Sequence, residues 1–181
     1  MKFNVMDIPE DGMNLEASAA GDPWLQEVVR QSFGEDFPQG GQASLDVHLI
    51  RTAKNIQVNG DAHIDLKPAC DRCLESFSRH LDVPLHVNMA PKKDLFFAQE
   101  EERELDPDDV NFSFYEGEEI DLAQILGEML VLEIPLRYLC SEECKGLCPK
   151  CGQNLNVKAC GCASAPADPR FAVLKELIKK T

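Results

Sequence analysis

The fold is set by the stretch Cys140–Cys162, CSEECKGLCPKCGQNLNVKACGC, which holds six of the eight cysteines in this 181-residue chain. The other two, Cys70 and Cys73, stand far upstream in the tetrapeptide CDRC. A structural zinc ion is held by four ligands in a tetrahedron, and two cysteines separated by two or three residues can bind it from one turn. The spacing therefore predicts two structural zinc sites, each with four cysteine ligands.

The cysteine pairs indicate how the eight thiols divide between these sites. The CPKCG pair is followed closely by the CGC pair, so these four can close a local site without outside help. The four that remain are the CDRC pair and the two that begin the cysteine-rich stretch. The predicted ligand sets are Cys70, Cys73, Cys140 and Cys144 for one ion, and Cys148, Cys151, Cys160 and Cys162 for the other. The cysteine spacing predicts metal binding more strongly than it predicts which cysteines share an ion.

Structural zinc is favoured over disulfides, catalytic zinc and redox chemistry as the role of the cysteines. The first residues, MKFNVMDIPEDG, lack the apolar core of a secretory signal, so a cytoplasmic location is expected, where thiols stay reduced and disulfides are rare. Catalytic zinc keeps an open position and usually has histidine or glutamate ligands. His80 lies near a cysteine pair, but the strand pattern directs it elsewhere. A redox-active CDRC would begin a helix, whereas this one lies between two alternating strands.

Three runs of alternating apolar residues predict the body of the protein. They begin near Leu45, Ile56 and Phe77, and alternation of period two is typical of half-buried antiparallel strands. The CDRC turn falls between the second and third runs. We therefore predict an α+β fold: an antiparallel β meander or partial barrel with flanking helices and a C-terminal zinc-knuckle segment. The polar face of these strands carries all four histidines, which are His48, His63, His80 and His86.

Helices and shorter strands are expected around the meander. Three aspartates, two of them followed by proline, precede apolar stripes at helical spacing, and these patterns predict three capped helices. The predicted caps are Asp22, Asp121 and Asp168. Short strands are expected within residues 1–8 and 110–115. If the second helix packs across the meander, its exit lies beside the CDRC turn, and a zinc ion there closes a loop of about seventy residues.

The chain is expected to divide into two parts of different charge. Residues 1–139 form the α+β body, including an acidic linker at 91–119, and residues 140–181 form the zinc-knuckle segment with a C-terminal helix. The net charge of -14 disfavours uniform nucleic-acid binding. However, residues 94–119 carry eleven acidic side chains against one arginine, while residues 137–181 carry eight basic and four acidic ones. Two zinc tetrathiolates would each add about −2 and reduce this basic excess, so the basic end is suggestive of an anionic partner and no more.

A resemblance to a known family rests on motifs that follow one another from about residue 44 to the end: CDRCLESF, EIDLAQILGEMLVLEIPLRYLC, CKGLCPKCGQNLN, CGC and DPRFAVLKEL. Together they resemble the YceD-like family, known as the large ribosomal RNA subunit accumulation protein. The resemblance implies a cytoplasmic protein of bacteria, with relatives in plastids. Some members keep the upstream CxxC pair and lack the CPxCG-to-CxC tail, which implies two separable metal sites. The resemblance transfers no catalytic residues.

The resemblance implies a factor that supports accumulation or processing of large-subunit ribosomal RNA in ribosome biogenesis, and the lack of a catalytic motif in the sequence predicts that it is non-enzymatic. Its expected partner is this RNA or a pre-ribosomal particle, with no membrane association. Phosphate contact is predicted for three lysines on the metal-braced loops, Lys145, Lys150 and Lys158. The alternative is a zinc-stabilised adaptor whose acidic residues 94–119 bind a basic ribosomal protein. A zinc hydrolase or nuclease is a third class, for which the sequence offers no motif.

Overall fold

The central feature of the computed structural model, which describes residues 1–92 and 112–162, is an open five-stranded sheet. A two-stranded sheet, β1 with β7, and two helices accompany it in the described residues. The strands are β1 (Lys2–Asn4), β2 (Met13–Ser18), β3 (Ala43–Thr52), β4 (Asn55–Leu66), β5 (Arg79–Pro91), β6 (Phe112–Tyr115) and β7 (Glu119–Asp121). The helices are α1 (Pro23–Phe33) and α2 (Leu122–Leu132).

The strands of the larger sheet follow the order of the chain, β2-β3-β4-β5-β6. Strands β2 to β5 are antiparallel neighbours, so the predicted α+β meander is confirmed. Strand β6 instead lies parallel to β5, with Phe112 opposite Asn88. A parallel neighbour requires a long crossover connection, and residues 92–111 are numerous enough to supply one. Alternation within a strand does not reveal its direction in the sheet, so this pairing could not be predicted locally.

The N-terminal region differs from the single strand expected there. Strand β1 ends at Asn4, because Val5–Asp7 form a 3₁₀ turn. The Asn4 side chain caps this turn by accepting a hydrogen bond from Met6 N–H at 2.9 Å. Strand β2 then pairs at the edge of the larger sheet. Its inward side chains Met13 and Leu15 are only half-buried. An edge strand of this kind needs little apolar alternation, so the sequence does not mark it clearly.

Both helices cover the apolar face of the larger sheet and pack against each other. Helix α1 buries a stripe of Leu25, Val29 and Phe33. Helix α2 buries Leu122, Ile125, Leu126 and Leu130. These stripes and the inward residues of β3, β4 and β5 form one hydrophobic core, while the opposite face of the sheet is left to polar residues.

The two described helix caps behave differently. The Asp121 carboxylate accepts a hydrogen bond from Ala123 N–H at 3.0 Å, as expected of a residue that caps α2. Asp22 occupies the cap position of α1, but its carboxylate accepts from Ser18 N–H at 2.9 Å instead. The expected cap of α1 therefore ties β2 to the helix rather than satisfying the first turn of the helix.

Some sequence predictions lie outside the described residues. These include the helix expected after Asp168 and most of the acidic segment, residues 94–111. Within the described part of the chain, no helix has the length and apolar character needed to cross a membrane.

Replacing either of two glycines by alanine should change stability, with opposite signs at the two positions. A Cβ atom on Gly60 would lie 2.0 Å from the backbone oxygen of Asp46, so Gly60→Ala must push β4 away from β3. A Cβ atom on Gly127 would lie 3.7 Å from Val28 Cγ1, which is ordinary contact within a helix pair. We expect Gly60→Ala to lower the free energy of unfolding by about 1–3 kcal/mol. We expect Gly127→Ala to raise it by about 0.5–1 kcal/mol.

Denaturant unfolding of the metal-loaded protein checks both values, with Gly127→Ala as the matched control for adding one methyl group. An unchanged midpoint for Gly60→Ala would contradict the close approach of β3 and β4.

Candidate metal centres

The first candidate centre brings together two cysteine pairs that are far apart in the chain. Cys70 and Cys73 lie on the connection from β4 to β5, while Cys140 and Cys144 follow α2. Their four sulfur atoms all lie within 4.8 Å of one another. Cys70 Sγ is 3.8 Å from Cys144 Sγ, and Cys73 Sγ is 3.7 Å from Cys140 Sγ. The fold thus gathers the first of the two sets of four into which the sequence divides.

These sulfur–sulfur distances suit a tetrahedral metal ion. With zinc–sulfur bonds of about 2.3 Å, the edge of the tetrahedron is about 3.8 Å. A disulfide would require sulfur atoms about 2.05 Å apart, and all eight cysteines are free. The donor set therefore fits a thiophilic divalent ion such as zinc, which this group of cysteines could hold.

The second candidate centre is local to the cysteine-rich stretch. The sulfur atoms of Cys148, Cys151, Cys160 and Cys162 also lie within 4.8 Å of one another. Cys148 is buried, whereas Cys151 and Cys162 are exposed, so this centre is closer to solvent than the first. No other part of the chain is needed to complete the set of four, which could hold a second ion.

A common backbone turn underlies both centres. In the first, Cys70 N–H donates to Glu75 O at 2.9 Å, and Leu74 N–H donates to Cys70 O at 2.8 Å. Ala69 and Ser76 then pair as an isolated β-bridge. We call this turn, residues 69–76, the first cysteine knuckle.

The CPKCG turn repeats that pattern position by position. Cys148 N–H donates to Gln153 O at 2.8 Å, and Gly152 N–H donates to Cys148 O at 2.9 Å. Leu147 and Asn154 form the corresponding bridge, which defines residues 147–154 as the second cysteine knuckle. The two knuckles share their geometry although they share few residues besides the cysteines.

The fifth residue of each knuckle, counted from its first cysteine, adopts a positive φ. The angle is 62° at Leu74 and 71° at Gly152. Glycine is at ease in this region, whereas a leucine there is strained. The turn directs backbone N–H groups towards the cysteine sulfur atoms. The strained φ at Leu74 is therefore the cost of this arrangement around the thiols.

Backbone N–H groups lower the pKa of one thiol in each centre. The pKa of Cys70 falls to about 6, chiefly because the backbone N–H of Cys140 donates to its sulfur, although burial opposes this change. The pKa of Cys148 also falls to about 6, chiefly because the backbone N–H groups of Lys150 and Cys151 donate to it. Each centre thus contains a cysteine that is prepared to be a thiolate near neutral pH.

Each centre also contains a thiol that resists ionisation. Burial raises the pKa of Cys140 to about 12. Hydrogen bonding with Cys151 raises the pKa of Cys162 to about 12. Four thiols at one point cannot all ionise unaided, because neighbouring negative charges repel one another. A divalent cation would remove that conflict by stabilising all four thiolates.

Arg72 connects the first knuckle to the segment that follows α2. Its guanidinium Nη1 donates to Glu142 O at 2.9 Å and to Cys144 O at 3.0 Å. Its own backbone oxygen accepts from Leu147 N–H at 3.0 Å. Gly146 permits this approach, since a Cβ atom there would lie 2.9 Å from Arg72 O. One side chain between the two cysteines of CDRC therefore holds the partner pair in place.

Asn156 connects the two centres. Its side-chain Nδ2 donates to Cys144 Sγ at 3.2 Å, and its Oδ1 accepts from Lys145 N–H at 2.8 Å. A residue between the ligands of the second centre thus orients a thiol of the first. Amide donation to sulfur stabilises a thiolate, and such supporting contacts keep metal ligands oriented.

The sequence does not identify Arg72 or Asn156 as site residues. They stand inside the motifs CDRCLESF and CKGLCPKCGQNLN, but their partners are distant or irregular parts of the chain. Asp71 is a further case, because its carboxylate accepts from Tyr138 N–H at 2.7 Å and its N–H donates to Tyr138 O at 2.8 Å. These contacts exist only once the segment after α2 meets the hairpin.

The three lysines predicted to meet phosphate are exposed on this cysteine-rich segment: Lys145, Lys150 and Lys158. No ion pair involves any of them within the described residues. The four histidines stand apart from both cysteine groups, on the solvent face of the sheet.

The sheet and the two cysteine groups define a class: an α+β protein with two centres built on matching cysteine knuckles. The sequence model of the family described as "Large ribosomal RNA subunit accumulation protein YceD" matches residues 58–178. This range includes all eight cysteines, and the chain belongs to the YceD family. The family name implies a role in accumulation of the large ribosomal RNA subunit.

Similar proteins come from a plant and from bacteria. The chain is 27% identical over 170 residues to the chloroplastic "Large ribosomal RNA subunit accumulation protein YCED homolog 1" of Arabidopsis thaliana, covering 79% of this chain and 50% of the relative. It is 31% identical over 167 residues to the uncharacterised protein YlbN of Bacillus subtilis, covering 86% and 94%. An uncharacterised protein of Mycobacterium tuberculosis is 27% identical over 140 residues, covering 77% and 64%.

The chain therefore spans about half the length of the Arabidopsis relative and less than two thirds of the mycobacterial one. No solved structure matches the chain.

Metal content tests the two centres separately. We expect two zinc ions per chain in the purified protein and one in Cys160→Ser, because a serine hydroxyl is a poor substitute for a thiolate ligand. Cys70→Ser should also lose one ion and should unfold at lower denaturant, since the first centre joins distant parts of the chain. Elemental analysis and denaturant unfolding measure these effects.

Val157→Ala is the matched control, because Val157 is 79% exposed and lies between the ligands of the second centre without belonging to them. A folded, metal-free protein would contradict both centres. Loss of both ions in Cys160→Ser would contradict their independence.

Proposed function

We propose that this protein is a non-enzymatic factor that supports accumulation or processing of large-subunit ribosomal RNA by associating with pre-ribosomal particles. Membership of the YceD family is the observation that carries the proposal. The Arabidopsis relative is likewise named for accumulation of the large ribosomal RNA subunit. The bacterial cytoplasm is the proposed location, as the place where such particles are assembled.

Both metal ions are proposed to be structural zinc, held by the two cysteine sets as ligands. Four thiolates occupy every position of a tetrahedral zinc ion, so no position is left for a substrate or a reactive water molecule. The backbone and side-chain contacts of Arg72 and Asn156 support rigid centres rather than changing ones. Closed and rigid centres of this kind support a role in holding shape and speak against metal-assisted catalysis at the cysteines.

The two centres are proposed to have different structural roles. The first joins the β4–β5 connection to the segment after α2, so its loss would release the long chain between them. The second shapes a compact loop that presents Lys150 and Lys158. A division into an α+β body of residues 1–139 and a zinc-knuckle segment of residues 140–181 fits these roles.

We assign RNA phosphate contact to Lys145, Lys150 and Lys158. The backbone is fixed at two of them, because Lys145 N–H donates to the Asn156 side-chain Oδ1 at 2.8 Å and Lys158 N–H donates to Asn154 O at 3.1 Å. Little backbone freedom remains to be lost when such a loop meets RNA. Each zinc tetrathiolate carries a net charge of about −2, so phosphate would approach the lysine tips and not the centres themselves.

Depletion of the protein from its cells tests the proposed role. We expect a selective fall of large-subunit ribosomal RNA relative to small-subunit RNA, because the factor acts on one subunit. Quantification of both RNAs measures the ratio, and re-expression of the wild-type protein is the control. An unchanged ratio after verified depletion would overturn the proposal.

The lysine assignment has its own test in the binding of the purified protein to pre-ribosomal particles. Neutralising all three, as Lys145→Gln, Lys150→Gln and Lys158→Gln together, should weaken binding and reduce the slope of log affinity against log salt by about 2. The matched control is Lys54→Gln with Lys67→Gln, two exposed lysines of the body.

Equal salt slopes for the triple variant and the wild type would remove the three lysines from the RNA contact. A charge-reversed form, with glutamate at the same positions, should weaken binding further for the same electrostatic reason.

A further inference from the structure

A second kind of donor cluster lies on the solvent face of the sheet, away from the cysteines. Strands β4 and β5 are antiparallel, with His63 opposite Asp82 and Asp65 opposite His80. Because residues two apart in a strand share a face, these four polar side chains form one square on the surface. Their arrangement is set by the register of the two strands at the centre of the fold.

Three of these side chains converge on one point. His63 Nδ1 lies 2.6 Å from Asp82 Oδ1, and His80 Nε2 lies 3.1 Å from the same oxygen. The two imidazole rings are stacked, with centroids 6.0 Å apart and planes within 10° of parallel. One donor atom from each of His63, His80 and Asp82 lies within 4.8 Å of the others.

Asp65 orients one of these donors. His80 Nδ1 lies 2.7 Å from Asp65 Oδ1, so Nδ1 carries the proton in this hydrogen bond and Nε2 is directed towards Asp82. A carboxylate behind a histidine in this way favours the tautomer whose other nitrogen can bind a metal, and the ion would displace the proton that Nε2 otherwise shares with Asp82. Asp65 is therefore placed as a positioning residue for His80.

We propose that His63, His80 and Asp82 form a third metal site, which binds a divalent transition-metal ion such as Zn²⁺ and is oriented by Asp65. Two imidazoles and one carboxylate suit the borderline ions Zn²⁺, Co²⁺ and Ni²⁺ better than Mg²⁺ or Ca²⁺, which prefer sets made only of oxygen ligands. Three protein ligands leave at least one coordination position for water.

The surroundings leave room for that position. A cleft of about 490 Å³ borders His63, Asp65 and His80, and Ser18 and Ser44 contribute polar groups to its wall. The side chain of His63 is 48% exposed and that of Asp82 is 66% exposed, so an ion can enter from solvent. An exposed site without thiolates binds zinc less tightly than the cysteine centres, which therefore fill first.

The other two histidines of the same face show what an ordinary cross-strand pair looks like. His48 contacts the Asn14 side chain, and His86 contacts the Asn59 side chain at 3.3 Å. Neither pair contains a carboxylate, and neither forms a group of three donors in the described residues. Convergence of two imidazoles on one carboxylate distinguishes the proposed site from them.

Zinc stoichiometry of the 181-residue chain tests the proposal. The protein is first loaded at its two cysteine centres and then dialysed against increasing free Zn²⁺, and bound metal is counted. We expect a third equivalent in the wild type. The third equivalent should disappear in His63→Gln and in Asp82→Asn, each of which removes a ligand while two equivalents remain bound at the cysteines.

Asp65→Asn and His86→Gln refine the test. Asp65→Asn keeps all three ligands but loses the orienting charge, so the third equivalent should bind about 10–100-fold more weakly. His86→Gln removes an exposed histidine from the same face and should bind the third equivalent like the wild type. Imidazole nitrogen NMR signals of His63 and His80 should shift as the third equivalent binds.

The absence of a third equivalent in the wild type would overturn the proposal. So would its retention in both His63→Gln and Asp82→Asn, or its equal loss in His86→Gln, which would indicate unspecific binding by surface histidines. These outcomes do not depend on the proposed role in ribosomal RNA accumulation.

Discussion

Four sulfur atoms from two distant parts of the chain meet at one point, and this meeting constrains the whole architecture. Cys70 and Cys73 lie in the connection between β4 and β5, and Cys140 and Cys144 follow α2. Their spacing matches the edge of a metal tetrahedron. The contacts of Arg72 and Asp71 hold the end of the sheet against the exit of α2 at this same junction, and a metal ion bound there would add to them. The helix that covers the core is thereby fixed at its far end.

The second centre contains the same kind of cysteine knuckle as the first, but it does not join distant parts of the chain. Both knuckles have the same hydrogen bonds, the same closing bridge and the same positive φ at the fifth residue. What differs is where the other two thiols come from. Asn156 joins the centres, because it lies within one and donates to a sulfur of the other. The cysteine-rich segment therefore behaves as an extension of the body at the junction while keeping a centre of its own.

The surface has two chemically different regions. The solvent face of the sheet presents imidazoles and carboxylates, such as His63 and Asp82, along β4 and β5. The cysteine-rich segment presents exposed lysines without ion pairs among the described residues. Exposed lysines on the second region can contact a polyanion, whereas imidazoles and carboxylates on the first can bind a cation. The proposed RNA contact and the proposed third metal site accordingly occupy separate surfaces.

Features that repeat over short distances could be predicted from the amino-acid sequence. Alternation of period two placed β3, β4 and β5, and paired cysteines marked both knuckles, because each pattern reflects a local backbone geometry. Only the tertiary structure shows that β6 runs parallel to β5 and that the Asp22 carboxylate accepts from Ser18 N–H. It also shows that Arg72 and Asn156 support the cysteines. The convergence of His63 and His80 on Asp82 likewise required the register of two strands. These contacts join groups that no local pattern relates, because the sequence around each residue does not record which distant partner it will meet.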